Sequence, residues 1–326
     1  MGNGPHDALF RKTFSSVEHA AAELRAVLPP ALRSRIDLSK LQLAPGSYVD
    51  SDLAASQSDL LFSVEMAGKP GLLYLLFEHQ STVDDLMAFR VLKYVVRILD
   101  QHIRGAKSAV RALPLPVVIP VVLHHSETGW TAATDLQDLF DGGLAKDESL
   151  AAYVPQLSFV LDDISHLTDD ELNGRALGLV PTLTLWALRD ARTPERLLRS
   201  LLRWGSAMEA LAAAESGREA LLTIFRYLTL VVPDLTPDAL HQNLRTLTPE
   251  VEQIVMTTLA EQWMAQGEAR GELNGTRNLL LRQLELKFGN LSKDERQRVD
   301  SADAEQICRW SVRILNADSL AAVLAD

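Results

Sequence analysis

Residues 59 to 80 constrain the fold more than any other stretch. Asp59-Leu-Leu-Phe-Ser-Val-Glu65 alternates, with Leu60, Phe62 and Val64 facing one way and Asp59, Leu61 and Ser63 the other, as a strand requires. Ala67-Gly68-Lys69-Pro70-Gly71 reads as a turn. Leu72 to Phe77 is an unbroken apolar run, and then the chain turns abruptly polar at Glu78-His79-Gln80. A strand that is apolar on both faces needs a layer on each side. An α/β architecture follows, in which a hairpin brings the start of the first strand beside the end of the second.

The flanking segments supply those layers. Leu9, Phe10, Phe14, Val17, Ala21 and Leu24 recur at helical steps. Ser15 and Glu18 have capping-box spacing, so a second helix start is expected near Ser15, and Leu28-Pro29-Pro30 ends the segment. A loop is expected through Pro45-Gly46, a helix from about Val83 to Gly105, and a strand from Val117 to His124. Pro120 suits an edge strand or a bulge better than a central strand. Beyond Trp130 the pattern is mainly helical, with segments separated by Pro194, Pro233, Pro237 and Pro249. Gly267, Gly271 and Gly275 mark a hinge candidate through which helix could also persist. The tail reads as three short helices, the first closed by Gly289 and the second box-capped by Ser292 and Glu295.

Composition removes several function classes. The 326 residues are 47% apolar and 23% charged, which excludes wholesale disorder. Net charge is −11, which argues against indiscriminate polyanion binding and leaves room for a local basic site. Residues 1–110 carry 12 basic and 12 acidic side chains, residues 111–180 carry 3 and 11, and residues 181–326 carry 17 and 20. A polyanion site is therefore expected in the first segment. The single cysteine, Cys308, rules out an intrachain disulfide framework or a cysteine-rich zinc site and is expected to be a buried thiol. His79, His124 and His125 lack the matched spacing of a histidine metal site. Trp186, Trp204, Trp263 and Trp310 are expected in helix packing. No apolar run reaches about 18 residues, and Leu113 to Leu123 carries three prolines, so no membrane partner is expected. The first residues lack the basic-then-apolar order of a signal peptide, so a cytoplasmic location is expected.

The chemistry concentrates at the hairpin. Asp59 opens one strand and Glu78 closes the next, and two carboxylates from adjacent strand ends suit Mg²⁺, a hard ion that prefers oxygen ligands. Period two puts Glu78 and Gln80 on one face and His79 on the other. On the following helix Arg90, Lys93, Arg97 and Arg104 fall within an arc of about 60°. Such a stripe could receive nucleic-acid phosphates, or pair with Asp84, Asp100 and the acidic middle segment.

The order Asp59…Glu78-x-Gln80 resembles the PD-(D/E)XK nuclease core, with Gln in place of the usual Lys. His6-Asp-Ala-Leu-Phe10, Leu28-Pro-Pro30, Pro45-Gly-Ser-Tyr-Val-Asp50, Ser58-Asp59, Phe77-Glu-His-Gln-Ser81 and Met87-Ala-Phe-Arg90-x-x-x-Tyr94 together resemble the Rpn family of recombination-promoting nucleases and transposase-like proteins. Leu279 to Gly289 is similar to a small uncharacterised domain that often follows that module.

The resemblance implies a PD-(D/E)XK-like mixed sheet flanked by helices over residues 5–130, a mainly helical extension over 131–265, and a small helical C-terminal domain over 276–326. It implies that Asp59 and Glu78, with the His79 backbone carbonyl, hold Mg²⁺ or, in its place, Mn²⁺. Gln80 would stand where a lysine normally orients water, aligning it by hydrogen bonds but bringing no positive charge. Asp7 would add a helix-borne acid, or act only as a helix cap. Arg90, Lys93 and Arg97 would contact DNA, Arg90 being part of the family pattern. The implied activity is metal-dependent endonucleolytic cleavage of DNA in recombination or mobile-element biology. The alternatives are a non-catalytic DNA-binding or assembly protein on the same fold, and a nuclease acting on RNA. A double-strand cut with one site per chain favours a homodimer.

Overall fold

The computed structural model describes residues 4–44, 59–78, 83–106, 113–232, 235–245 and 249–324, with backbone alone for 77–78, 237, 257–258 and 261–273. The chain divides into two compact units, Met1–Val255 and Met256–Asp326. The first opens with α1 (Pro5–Phe14), α2 (Val17–Val27) and the short α3 (Pro30–Arg33). Then come β1 (Ile36–Leu43), β2 (Leu60–Met66), β3 (Lys69–Glu78), α4 (Met87–Gly105), β4 (Val117–His124), α5 (Gly142–Ala145) and β5 (Val160–Asp163). A run of helices follows: α6 (Asp169–Gly174), α7 (Leu179–Asp190), α8 (Pro194–Leu201), α9 (Gly205–Ala213), α10 (Gly217–Val231) and α11 (Pro237–Leu244).

The sheet is mixed, in the order β1-β2-β3-β4-β5. The first three strands form an antiparallel meander, while β4 is parallel to β3 and β5 to β4. The expected hairpin is present, closed by a two-residue loop in which Ala67 (φ 49°) and Gly68 (φ 78°) both adopt positive φ. That geometry matches the twist of the flanking strands and explains the glycine.

Both faces of the sheet are covered. Leu61, Leu72, Tyr74, Leu76, Val118 and Val122 pack against Met87, Val91, Val95 and Ile98 of α4. On the opposite face Phe62, Leu73, Val121 and Leu123 are buried, and α2 packs on β1 and β5. Each such side chain contributes about 1.5–3 kcal/mol by leaving water. Behind it α1 packs on α7, where the Thr13 and Thr184 hydroxyls share a buried hydrogen bond of 3.0 Å.

Several expectations need correction. The segment after Pro30 is not simply loop. It forms β1, whose register with β2 shifts between Asp37 and Gln42, a bulge that hides the alternation. β5 lies within the stretch expected to be mainly helical. β4 is an interior strand despite Pro120, because β5 pairing begins only at Val121, so the missing N–H falls where that side of β4 is still an edge. The second helix is capped by Ser16, whose hydroxyl accepts from the His19 N–H, rather than by Ser15, which donates to the Arg11 carbonyl. α4 begins at Met87 rather than Val83, because the Asp84 carboxylate accepts the Leu86 N–H (2.9 Å) in a turn before it.

α12 (Pro249–Phe288) keeps a helical backbone through Gly267, Gly271 and Gly275. Gly289, at φ 90°, stops it. α13 (Lys293–Asp300) starts with the expected Ser292–Glu295 capping box, followed by α14 (Ala304–Arg313) and α15 (Leu320–Val323). Leu280, Leu284, Val299, Ile307, Trp310 and Val323 form the core of this second unit. Cys308 is exposed rather than buried, since Ile307 and Trp310 take the core-facing positions of α14. Trp186 and Trp204 are buried in the first unit, whereas the Trp263 side chain lies outside the described residues. No described helix is long and apolar enough to cross a membrane.

Candidate functional site

Asp59 sits immediately before β2, on the face that carries Leu61, and is 8% exposed. Leu61 pairs with Tyr74 on β3, and the Tyr74 hydroxyl donates to Asp59 Oδ2. Burial, and then the Asp59 charge, push the phenol well above its ordinary pKa, so Tyr74 stays a neutral donor. A carboxylate has about four lone-pair sites, so this bond leaves Asp59 with acceptor capacity. Tyr74 carries the one hydroxyl in the apolar run Leu72–Phe77, and that is the signal by which sequence could have found it.

β3 ends at Glu78, whose backbone is in register with His124 of β4. The Glu78 side chain, with all of His79 and Gln80, lies outside the described residues, as do Asp50 and Asp52. His124 is fully buried with its ring edge-on to Trp130, centroids 4.9 Å apart. His125 is buried as well, 5.5 Å from the His6 ring of α1. His6 Nδ1 lies 2.8 Å from the Tyr227 hydroxyl of α10, and Arg192 Nη2 lies 3.5 Å from His125 Nδ1. The first turn of α1, which carries Asp7, is thereby brought to the residue that follows β4. Among the described residues no three His, Cys, Asp or Glu side chains are grouped to hold a metal ion.

On α4, Arg90 is half-buried, pairs with Asp84 at 3.1 Å and lies over the Tyr94 ring. Arg104 pairs with Asp100 at 2.7 Å. Lys93 is exposed and Arg97 half-buried.

The sequence profile of a family described as "Putative transposase, YhgA-like" matches residues 4–218. The chain belongs to that family. It is 34% identical over 169 residues to the Escherichia coli (strain K12) recombination-promoting nuclease RpnC, covering 52% of this chain and 53% of the relative. It is 35% identical over 169 residues to the recombination-promoting nuclease RpnD of Escherichia coli O157:H7, covering 52% and 62%. A protein named as inactive and nuclease-like, RpnE of strain K12, is 33% identical over 171 residues, covering 52% and 54%. The chain thus spans about half the length of the first two K12 relatives and somewhat more of RpnD. No solved structure matches it.

Proposed function

We propose that this chain is a metal-dependent nuclease that cuts DNA in recombination, built on the PD-(D/E)XK plan. The observation that carries the reading is the placement of Asp59. It is a buried carboxylate at the start of β2, fixed by the Tyr74 hydroxyl of β3, the strand that ends in Glu78. Membership in the YhgA-like putative-transposase family and likeness to relatives named as recombination-promoting nucleases support it.

The donor chemistry fits Mg²⁺ or Mn²⁺, since two carboxylates and a backbone carbonyl are all-oxygen ligands. Asp59, Glu78 and the His79 carbonyl would hold the ion, with Asp7 as a further acid. Bound there, the ion would lower the pKa of a water and stabilise charge on the leaving oxygen. Tyr74 locks the Asp59 rotamer. Gln80 would align a water through its amide, and α4 would offer Lys93 and Arg97, with Arg90, to the DNA backbone.

A second reading, a DNA-binding protein that does not cut, is favoured by one finding: a relative named as inactive is as similar to the chain as those named as nucleases. Incubating the purified chain with plasmid DNA and with single-stranded RNA separates the readings, each substrate tested with Mg²⁺, Mn²⁺ and chelator. DNA cleavage that chelator abolishes is the expected result. Binding without metal-dependent cleavage would establish the second reading, and preferential cutting of RNA would redirect the substrate.

A further inference from the structure

The segment 181–204 holds five arginines and two acidic residues, within the C-terminal stretch whose net charge is negative. Thr193 caps α8 by accepting from the Arg196 N–H. Leu197, Ser200 and Leu201 of α8 are buried, and the Ser200 hydroxyl accepts from Trp186 Nε1 at 3.1 Å. Arg196 and Arg199 of α8 and Arg203 just beyond its end line a cavity of about 400 Å³ with Ser200, Arg189, Asp169 and Asp190.

The two aspartates in this cavity are already engaged. Arg189, 4% exposed, holds Asp169 Oδ1 at 2.5 Å and Asp190 Oδ1 at 2.9 Å. Arg196 adds a contact to Asp190 Oδ1 at 3.0 Å, and Arg203 one to Asp169 Oδ2 at 3.2 Å. Arg199 is exposed, and its Nε donates to the Glu195 carbonyl at 3.1 Å. Among the described residues Arg199 has no carboxylate partner. Four guanidiniums against two carboxylates leave two positive charges in an open concavity.

The row also has a direction. Arg192, just before α8, is close enough to Arg196 that burial, and then that neighbour's charge, hold its pKa below the usual arginine value. Its Nη2 reaches His125, the residue after the strand that pairs with Glu78.

We propose that this arginine cleft is a second phosphate-binding site, taking the phosphodiester backbone of the nucleic acid that enters the candidate site at the strand ends. The proposal rests on the nuclease reading and extends it to α8. A repeated polyanion fits better than one small phosphate. The charges form a row rather than a closed cage, and Arg203 remains 68% exposed.

The test measures binding of a labelled duplex in chelator, so that cutting does not intervene, across a salt series. The chains compared are the wild type, the Arg199→Gln/Arg203→Gln double variant and an Arg309→Gln control, with folding followed by thermal melting. Each lost phosphate contact should flatten the log–log salt slope by about 0.9. The double variant should therefore lose about 1.8 of the slope and about tenfold or more in affinity at low salt. The control should match the wild type. If the double variant melts early, Arg199→Gln alone should still lose about one contact of slope, because among the described residues Arg199 holds no carboxylate. A folded variant with unchanged affinity and slope would overturn this site while leaving the nuclease reading intact. A wild type that binds no DNA would overturn both. Saturable binding of inorganic phosphate that the double variant loses, with duplex binding unchanged, would overturn the backbone assignment.

Discussion

Two arginine–carboxylate clusters in the first unit use the same groups in opposite proportion. In one, Arg175 Nη1 lies 2.9 Å from Glu23 Oε1, and Nη2 lies 2.6 Å from Asp162 Oδ1, so two acids share a single cation. Both acid side chains are almost wholly buried, at 1% and 3% exposed. Burial, and then the Asp162 charge, push the Glu23 carboxyl well above the usual range, against the pull of Arg175. Burial and the neighbouring acid therefore favour the neutral form of Glu23, and the Arg175 guanidinium joins Glu23 of α2 to Asp162 of β5. In the α8 cleft the cations are in excess, and the cluster opens to solvent. There burial raises the Asp169 carboxyl, but the Arg189 hydrogen bond and charge outweigh it and hold it below its ordinary value. A buried cluster with surplus acid is closed on itself. An open cluster with surplus base is left to attract an anion.

The largest effect should come from removing the shared cation. Arg175→Met would strand Asp162 beside Glu23 in the interior, and breaking a buried pair in this way costs about 3–5 kcal/mol. Urea unfolding of the variant measures it. A loss as small as that of a surface ion pair, under about 1 kcal/mol, would erase the distinction between the clusters.

A smaller effect should follow Glu23→Gln, and it should depend on pH. A carboxyl whose folded pKa is raised adds stability that is fully present below the unfolded value, about 4.3, and is lost as pH rises through the folded value. The wild type should therefore lose melting temperature relative to Glu23→Gln as pH rises from 5 to 8, with the gap smallest near pH 4. A pH-independent gap would mean that Glu23 is ionised beside Arg175 throughout.

The hairpin, α4 and β4 were legible because β2 alternates, β3 and β4 are apolar runs and α4 is amphipathic, with clear stops as at Glu78 and Gly105. β1 was not, since its bulge and the exposed Ser39 and Lys40 break the alternation of Ile36, Leu38 and Leu41. β5, four residues long, is too short to show a period. Adjacent serines made the α2 cap ambiguous by one residue. The place of Asp59 at a strand end was legible from the alternation of β2. Its bond to Tyr74 was not, because it depends on register across the hairpin. His6, His125, Arg192 and Tyr227 are joined only by packing of α1 and α10 near the end of β4. The arginine row was hidden by averaging, because residues 181–326 carry a net −3.

Asp59→Asn decides whether the Asp59 carboxylate belongs to the proposed metal site that cuts DNA. The substitution keeps the shape and an oxygen that can accept from Tyr74, but removes the charge a divalent ion needs. Plasmid cleavage by wild type and variant would be compared with Mg²⁺, alongside duplex binding in chelator and a thermal melt. The expected variant folds, still binds duplex DNA and has lost most of its cleavage. Undiminished cutting by a folded Asp59→Asn chain would contradict it.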